Sequence, residues 1–172
     1  YTVSPLASVC LNVDADHLDW HGSVEAYAAD KARVYEHTQV ACIFNTDHVD
    51  TLRMVENADV IEGARAIGFS STEMPAVSML GLAEDIMVDR AFLKNRYNEA
   101  YELAVLEDLA PAPGKMPAKH TVENALAAAA LCRAADIDPK AVGAGLRSFK
   151  TGAHRNQLVG YADDIMWVND SK

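Results

Sequence analysis

Positive charge is scarce in this 172-residue chain, where 15 Lys and Arg stand against 25 Asp and Glu for a formal net charge of -10. A nucleic-acid partner would want a basic patch, so this balance argues against one. Long apolar runs are missing as well: no stretch approaches the ~20 residues that a membrane-spanning helix needs. No charged-then-apolar leader precedes the first strand pattern. Cysteine is confined to Cys10, Cys42 and Cys132. An odd number, each in an apolar segment, reads as reduced core thiols of a cytosolic protein rather than a disulfide framework. None sits in a cluster of His or basic residues, which speaks against a catalytic thiol. The phosphate-cradling signature G-x-x-x-x-G-K-[ST] occurs nowhere, and no internal repeat is visible.

What is present is a large apolar complement, 50% of the residues, enough to build a substantial core and to make global disorder an unsuitable reading. The pattern is that of an open α/β sheet. A short apolar strand is expected over 7–13, followed by a polar turn over 14–22 that holds His17, Asp19 and His21. Ser23 then caps a helix running to about Tyr35, and a continuous apolar run over 39–45 fits a strand buried on both faces of a parallel sheet. Together these make a βαβ unit. A helix over 47–57 with Leu52 and Val55 inward, and a strand over 64–69, follow.

Between Val77 and Leu106 the texture changes to short segments around Gly and charged residues, which predicts short strands and hairpins at one edge of the sheet. Pro111, Pro113, Gly114 and Pro117 form a breaker loop. The alanine-rich stretch 119–135 is the clearest helix, with high propensity and a slim profile for close packing. Asp138-Pro139 then starts another helix ending near Phe149, with aspartate at the cap and proline at the first position. A polar connector over 152–157 leads to two short strands over 158–168, turning at Ala162-Asp163. Tyr1 enters just before a strand and Lys172 stops just after one, so the chain is expected to be a piece of a longer polypeptide.

A strand that ends in carboxylates and imidazoles and then becomes a helix presents chemistry at the carboxyl edge of the sheet. Its oxygen and nitrogen donors suit a hard or borderline divalent cation such as Mg²⁺ or Mn²⁺. His17 and His21 are four apart, a helical metal spacing, yet H-E-x-x-H is absent and Gly22-Ser23 places the helix start afterwards. A loop whose Asp and His side chains cap backbone groups fits the same residues.

Lys31 lies between Tyr27 and Tyr35, each one turn away. It is either a snorkelling surface lysine or an amine approaching the polar turn. Asn124 is either a surface helix residue or an amide able to pair with a planar base. Arg155, after His154, is either part of a solvated hinge or a bidentate phosphate clamp. Asp170 and Lys172 close a strand, where charged residues are ordinary.

Taken in order, these pieces resemble the Mur ligases, ATP-dependent amide-forming enzymes of peptidoglycan synthesis. That family carries D-H-x-D, a lysine on the next helix, H-N-x-x-N-A-x-A-A, H-R, and a strand leading to an acidic residue. Here they stand as Asp16-His17-Leu18-Asp19, Lys31, His120 to Ala128, His154-Arg155 and Asp170. The ending WVNDSK is similar to the D-glutamate-adding branch.

The resemblance implies the second half of a central ATP-binding domain over 1–149, with a mostly parallel sheet, flanking helices and a small antiparallel edge. Residues 150–172 would then be the hinge and the first strands of a Rossmann-like C-terminal domain. It implies ATP and Mg²⁺, with His17 and a carbamylated Lys31 as catalytic groups near the second Mg²⁺. Asn124 would meet adenine, Arg155 phosphate, Asp170 the ribose hydroxyls, and Lys172 phosphate and the incoming amino acid. The implied substrates are UDP-N-acetylmuramoyl-L-alanine and D-glutamate, joined in the cytoplasm through an acyl phosphate by a monomeric enzyme, the isolated chain being inactive. Two other readings compete. One is a different member of the superfamily, a tripeptide or folylpolyglutamate synthetase; the other is a non-catalytic metal- or nucleotide-binding module. One departure stands out: Thr121 occupies the first asparagine position of the H-N-x-x-N pattern.

Overall fold

A computed structural model of the chain describes residues 3–14, 18–150, 152, 157–163, 165–169 and 171. The first strand, β1, spans Ala7–Cys10. A single helical turn, α1 (Leu18–His21), precedes α2 (Val24–Ala32), which tightens into a 3-10 turn at Arg33–Tyr35. Then come β2 (Ala41–Asn45), α3 (Val49–Glu56) and β3 (Arg65–Phe69). Three short strands follow, β4 (Met79–Ala83), β5 (Ile86–Asp89) and β6 (Tyr101–Val105). The chain continues through α4 (Lys119–Ala134) and α5 (Pro139–Ser148) to β7 (Gln157–Ala162) and β8 (Ile165–Asn169).

The first six strands form one sheet in the order β1-β2-β3-β4-β5-β6. β1 to β4 pair in parallel, whereas β4-β5 and β5-β6 are antiparallel. The antiparallel edge expected from the broken texture after Val77 is therefore real. β7 and β8 form a separate antiparallel pair, with Asp163 at positive φ in the turn between them.

Period-two alternation assigns the two faces of the parallel strands. Ala41 and Ile43 of β2, with Ala7 and Val9 of β1, pack in the large core that includes Ala125, Leu126, Ala129 and Ala130 of α4. Cys42 and Cys10 point the other way, into a smaller cluster with Tyr35 and Met54 under α2 and α3. Every residue of β2 is buried, as its unbroken apolar run requires. The methyl side chains of α4 let its backbone lie close to the sheet. Close approach recurs at Gly143 of α5, where any Cβ would collide with the Leu103 carbonyl oxygen of β6.

Three local expectations are corrected. The β1 ladder stops at Cys10 rather than running to residue 13, one residue short of the end of its partner β2. Helix starts before Gly22, because the turn itself winds once as α1; Gly22, at φ +79, then ends that turn in a left-handed conformation. On α3 the inward residues are Thr51 and Met54, with Val55 partly buried, while Leu52 is 36% exposed. Polar Thr51 can be buried because its hydroxyl donates to the carbonyl oxygens of Asn45 and His48 at 2.7 and 2.8 Å. The capping expectations hold: Ser23 Oγ accepts from the Ala26 amide at 3.1 Å, and the Asp138 carboxylate accepts from the Lys140 amide at 2.8 Å.

Tyr35 ties the smaller core together. Its fully buried hydroxyl donates to the Ile43 carbonyl at 2.6 Å and accepts from the Cys10 amide at 2.9 Å. Burial, with the hydrogen bond from Cys10 as a lesser opposing influence, pushes the phenol pKa upward. Tyr35→Phe keeps the ring but leaves two buried backbone groups unpaired, each worth about 1–3 kcal/mol. We expect a loss of about 2–4 kcal/mol in urea denaturation; a loss near zero would show that neither hydrogen bond matters.

Candidate functional site

The polar turn and α2 bring four side chains together. Lys31, half-buried in the last turn of α2, has its Nζ 3.5 Å from the Tyr27 hydroxyl. The same Nζ sits 5.2 Å from the Tyr27 ring centroid, within cation–π range. The imidazole of His21 lies 5.1 Å, centroid to centroid, from the Tyr27 ring. Its Nδ1 is 3.0 Å from Asp30 Oδ2. Lys31 also lies within electrostatic reach of the carboxyl end of β1: burial pushes the Cys10 thiol pKa up, and the Lys31 charge partly offsets that.

A second constellation lies where β2 and β3 end. Asp47 follows β2, and Ser70, Ser71 and Thr72 follow β3. Asp47 Oδ1 accepts from the hydroxyls of Ser70 and Thr72 at 2.7 and 2.8 Å. Its Oδ2 accepts from the amide and hydroxyl of Ser71, both at 3.2 Å. The neighbouring Glu123 of α4 accepts from the buried amide group of Asn45 at 3.3 Å and from the Ser71 hydroxyl at 3.5 Å. The Lys119 ammonium lies 3.9 Å from Asp47 and 3.5 Å from Glu123. This network joins two strand ends to the opening turns of α4, where Glu123 immediately precedes Asn124.

Desolvation raises the Asp47 pKa, but the four hydrogen bonds together outweigh it and hold the carboxyl below its usual range. A carboxyl depressed in the folded state contributes stability that is fully present above its unfolded value, about 3.9. That contribution is lost as pH falls through the folded value. Denaturation midpoints of the native protein should therefore drop below about pH 4, and Asp47→Asn should flatten that part of the profile. An unchanged slope in the variant would remove Asp47 from the account.

Of the residues singled out in the sequence, Lys31 lies in this region and Asn124 lies exposed on α4. α4 begins after Ala118, which offers no side-chain cap. His17, Arg155, Asp170 and Lys172 lie outside the described residues. Sequence reasoning passed over Asn45, Asp47, the Ser70–Thr72 hydroxyls and Glu123. A signal was available, since polar residues follow directly on two apolar strand runs, the place where open α/β sheets bind ligands.

Among the described residues no three His, Cys, Asp or Glu side chains gather as a ready-made cation site. An alkyl amine is a poor ligand for a hard cation; carbamylated, Lys31 would present the oxygen donors that Mg²⁺ takes. The donor chemistry at Lys31 fits Mg²⁺ only in that form. No helix among the described residues is long and apolar enough to cross a membrane.

Known proteins share this fold and much of this sequence. The chain is 51% identical over 170 residues to the UDP-N-acetylmuramoylalanine–D-glutamate ligase of Leifsonia xyli, covering 99% of this chain and 32% of that protein. It is 48% identical over 166 residues to the ligase of the same name from Streptomyces avermitilis, covering 96% and 34%. The chain spans about a third of the length of these curated relatives. The same fold occurs in the MurF ligase of Thermotoga maritima in complex with ADP, with a TM-score of 0.62 at 16% identity, covering 98% of this chain and 36% of that one. It also occurs in a UDP-N-acetylmuramoyl-L-alanyl-D-glutamate–2,6-diaminopimelate ligase, with a TM-score of 0.63 at 20% identity, covering 91% and 31%. Residues 1–132 match the family model described as the Mur ligase middle domain, and by that match across most of its length the chain belongs to the Mur ligase middle-domain family.

Proposed function

We propose that this chain is the nucleotide-facing part of a D-glutamate-adding ligase. Residues 1–149 would belong to its central ATP-binding domain and 150–172 to the hinge and the start of the C-terminal domain. The observation that carries the reading is 51% identity along 99% of the chain to a ligase of that name. The reaction is ATP-dependent amide formation in the cytoplasm. A carboxylate oxygen of UDP-N-acetylmuramoyl-L-alanine attacks the γ-phosphorus and ADP leaves, giving an acyl phosphate. The amine of D-glutamate then adds to the acyl carbon, the resulting tetrahedral centre expels phosphate, and the nitrogen gives up its proton.

In this reading Lys31, as its carbamate, and His17 hold Mg²⁺. Bound there, Mg²⁺ would neutralise the crowded phosphates and the developing oxyanion. Asn124 pairs with adenine through its amide, which can both donate and accept. Arg155 clamps phosphate, Asp170 accepts from the ribose hydroxyls, and Lys172 meets phosphate and the incoming amino acid. The Asp47–Glu123 network supports this site by fixing the start of α4 against two strand ends.

The test is a coupling assay on the full-length ligase with ATP, UDP-N-acetylmuramoyl-L-alanine and a panel of amino acids. The expected result is release of ADP and phosphate only with D-glutamate, together with the mass of the dipeptide product. Turnover that instead requires a substrate already bearing D-glutamate would favour a tripeptide synthetase. Binding of nucleotide or metal with no turnover on any substrate would favour a non-catalytic module.

A further inference from the structure

We propose that Tyr27 is a positioning residue that holds the Lys31 amine in place for addition to CO₂, with the His21–Asp30 pair fixing Tyr27 in turn. The inference rests on the reading of Lys31 given above.

Tyr27 and Lys31 are four residues apart on α2, the spacing at which helix side chains meet. A lysine side chain is long and loses considerable rotamer freedom when held in one direction. Here two contacts from one residue select that direction: the hydroxyl at 3.5 Å from Nζ and the ring face 5.2 Å away. The ring attracts the protonated amine, and the hydroxyl is the contact that the uncharged amine keeps. The ring itself is not left to rotate. His21 packs on it at 5.1 Å, and His21 is anchored by Asp30 at 3.0 Å. The chain Asp30–His21–Tyr27–Lys31 therefore runs from the end of α1 to the last turn of α2.

A phenol suits both states of the lysine. Its oxygen accepts from an amine N–H, and its O–H can donate to a carboxylate oxygen. In the step itself the lone pair of uncharged Nζ forms a bond to the carbon of CO₂. One C=O π pair moves onto oxygen, and a proton on nitrogen passes to water. The product is a secondary carbamate anion. Phenylalanine at 27 would keep the ring face and lose the only group able to donate to that anion from this side chain.

The experiment measures the carbamate at Lys31 directly, by ¹³C NMR of the full-length ligase equilibrated with ¹³C-bicarbonate, alongside activity as a function of bicarbonate. Tyr27→Phe is expected to lower carbamate occupancy at ambient CO₂ by about 3- to 10-fold, the equivalent of one hydrogen bond. Added bicarbonate should restore both occupancy and activity, which a purely structural defect would not show. His21→Phe, which keeps ring packing but breaks the link to Asp30, should give a smaller loss with the same rescue. A wild-type enzyme with no carbamate signal would overturn the reading of Lys31 itself. A clear wild-type signal that Tyr27→Phe leaves unchanged would overturn the role of Tyr27 alone. Should Tyr27→Phe misfold, Tyr27→Trp keeps a ring and an N–H donor, and unaltered bicarbonate dependence in that variant together with His21→Phe would count against the proposal.

Discussion

Lys31→Ala in the full-length ligase is expected to lower kcat/KM by about 10²- to 10³-fold, the range for removing one preorganised electrostatic group from a reacting centre. The lysine is half-buried and meets Tyr27 on its own helix. Its loss should therefore leave the unfolding midpoint within about 0.5 kcal/mol of wild type, as for a surface change. A drop in activity without a drop in stability separates a chemical role from a structural one. Lys31→Arg retains charge but cannot form the carbamate in the same way, so it should be as inactive as the alanine variant. Near-wild-type turnover in either variant would remove Lys31 from the mechanism and return it to an ordinary helix lysine.

The second large effect is on stability. Asp89, the last residue of β5, is 0% exposed and meets the Nε of Arg133, 9% exposed, at 2.9 Å. The pair is well satisfied. Asp89 Oδ1 accepts from the amides of Ala91 and Phe92 at 2.7 and 3.0 Å, while Arg133 donates to the Ile137 carbonyl at 2.6 Å. It thus joins the antiparallel edge to the far end of α4. Removing one partner leaves the other charge buried without compensation, a loss of about 3–5 kcal/mol. Asp89→Ala and Arg133→Met should each destabilise by that amount in chemical denaturation. The double variant Asp89→Leu/Arg133→Met should lose less than the two single losses added together, because no charge is stranded, although the Ala91 and Phe92 amides lose their acceptor. Equal additive losses in the double variant would show that the two residues act independently.

The features legible in the sequence were those carried by short-range pattern. The βαβ start, the buried strand over 41–45, the change to antiparallel pairing after Val77 and the alanine helix all follow from periodicity and local composition. Errors arose where a polar group took an inward position. Thr51 faces the core because Asn45 and His48 carbonyls satisfy it, a condition that a hydrophobicity pattern cannot register. Tyr35 looked like a flank of Lys31 and proved to be the hydrogen-bonding link between Cys10 and Ile43.

By itself the sequence determined the kinds of elements and their order, because helix spacing, caps and strand alternation are set within a few neighbours. Only the tertiary structure decided partnerships over longer separations. Parallel register sets Ala41 opposite both Ala7 and Arg65, and Asp47 gathers the hydroxyls that follow the next strand. In the same way Asp89 meets Arg133 from 44 residues away. The physical reason is that a buried polar group binds whichever complement the packing of the sheet and α4 brings within hydrogen-bond range, and that packing is a property of the whole chain.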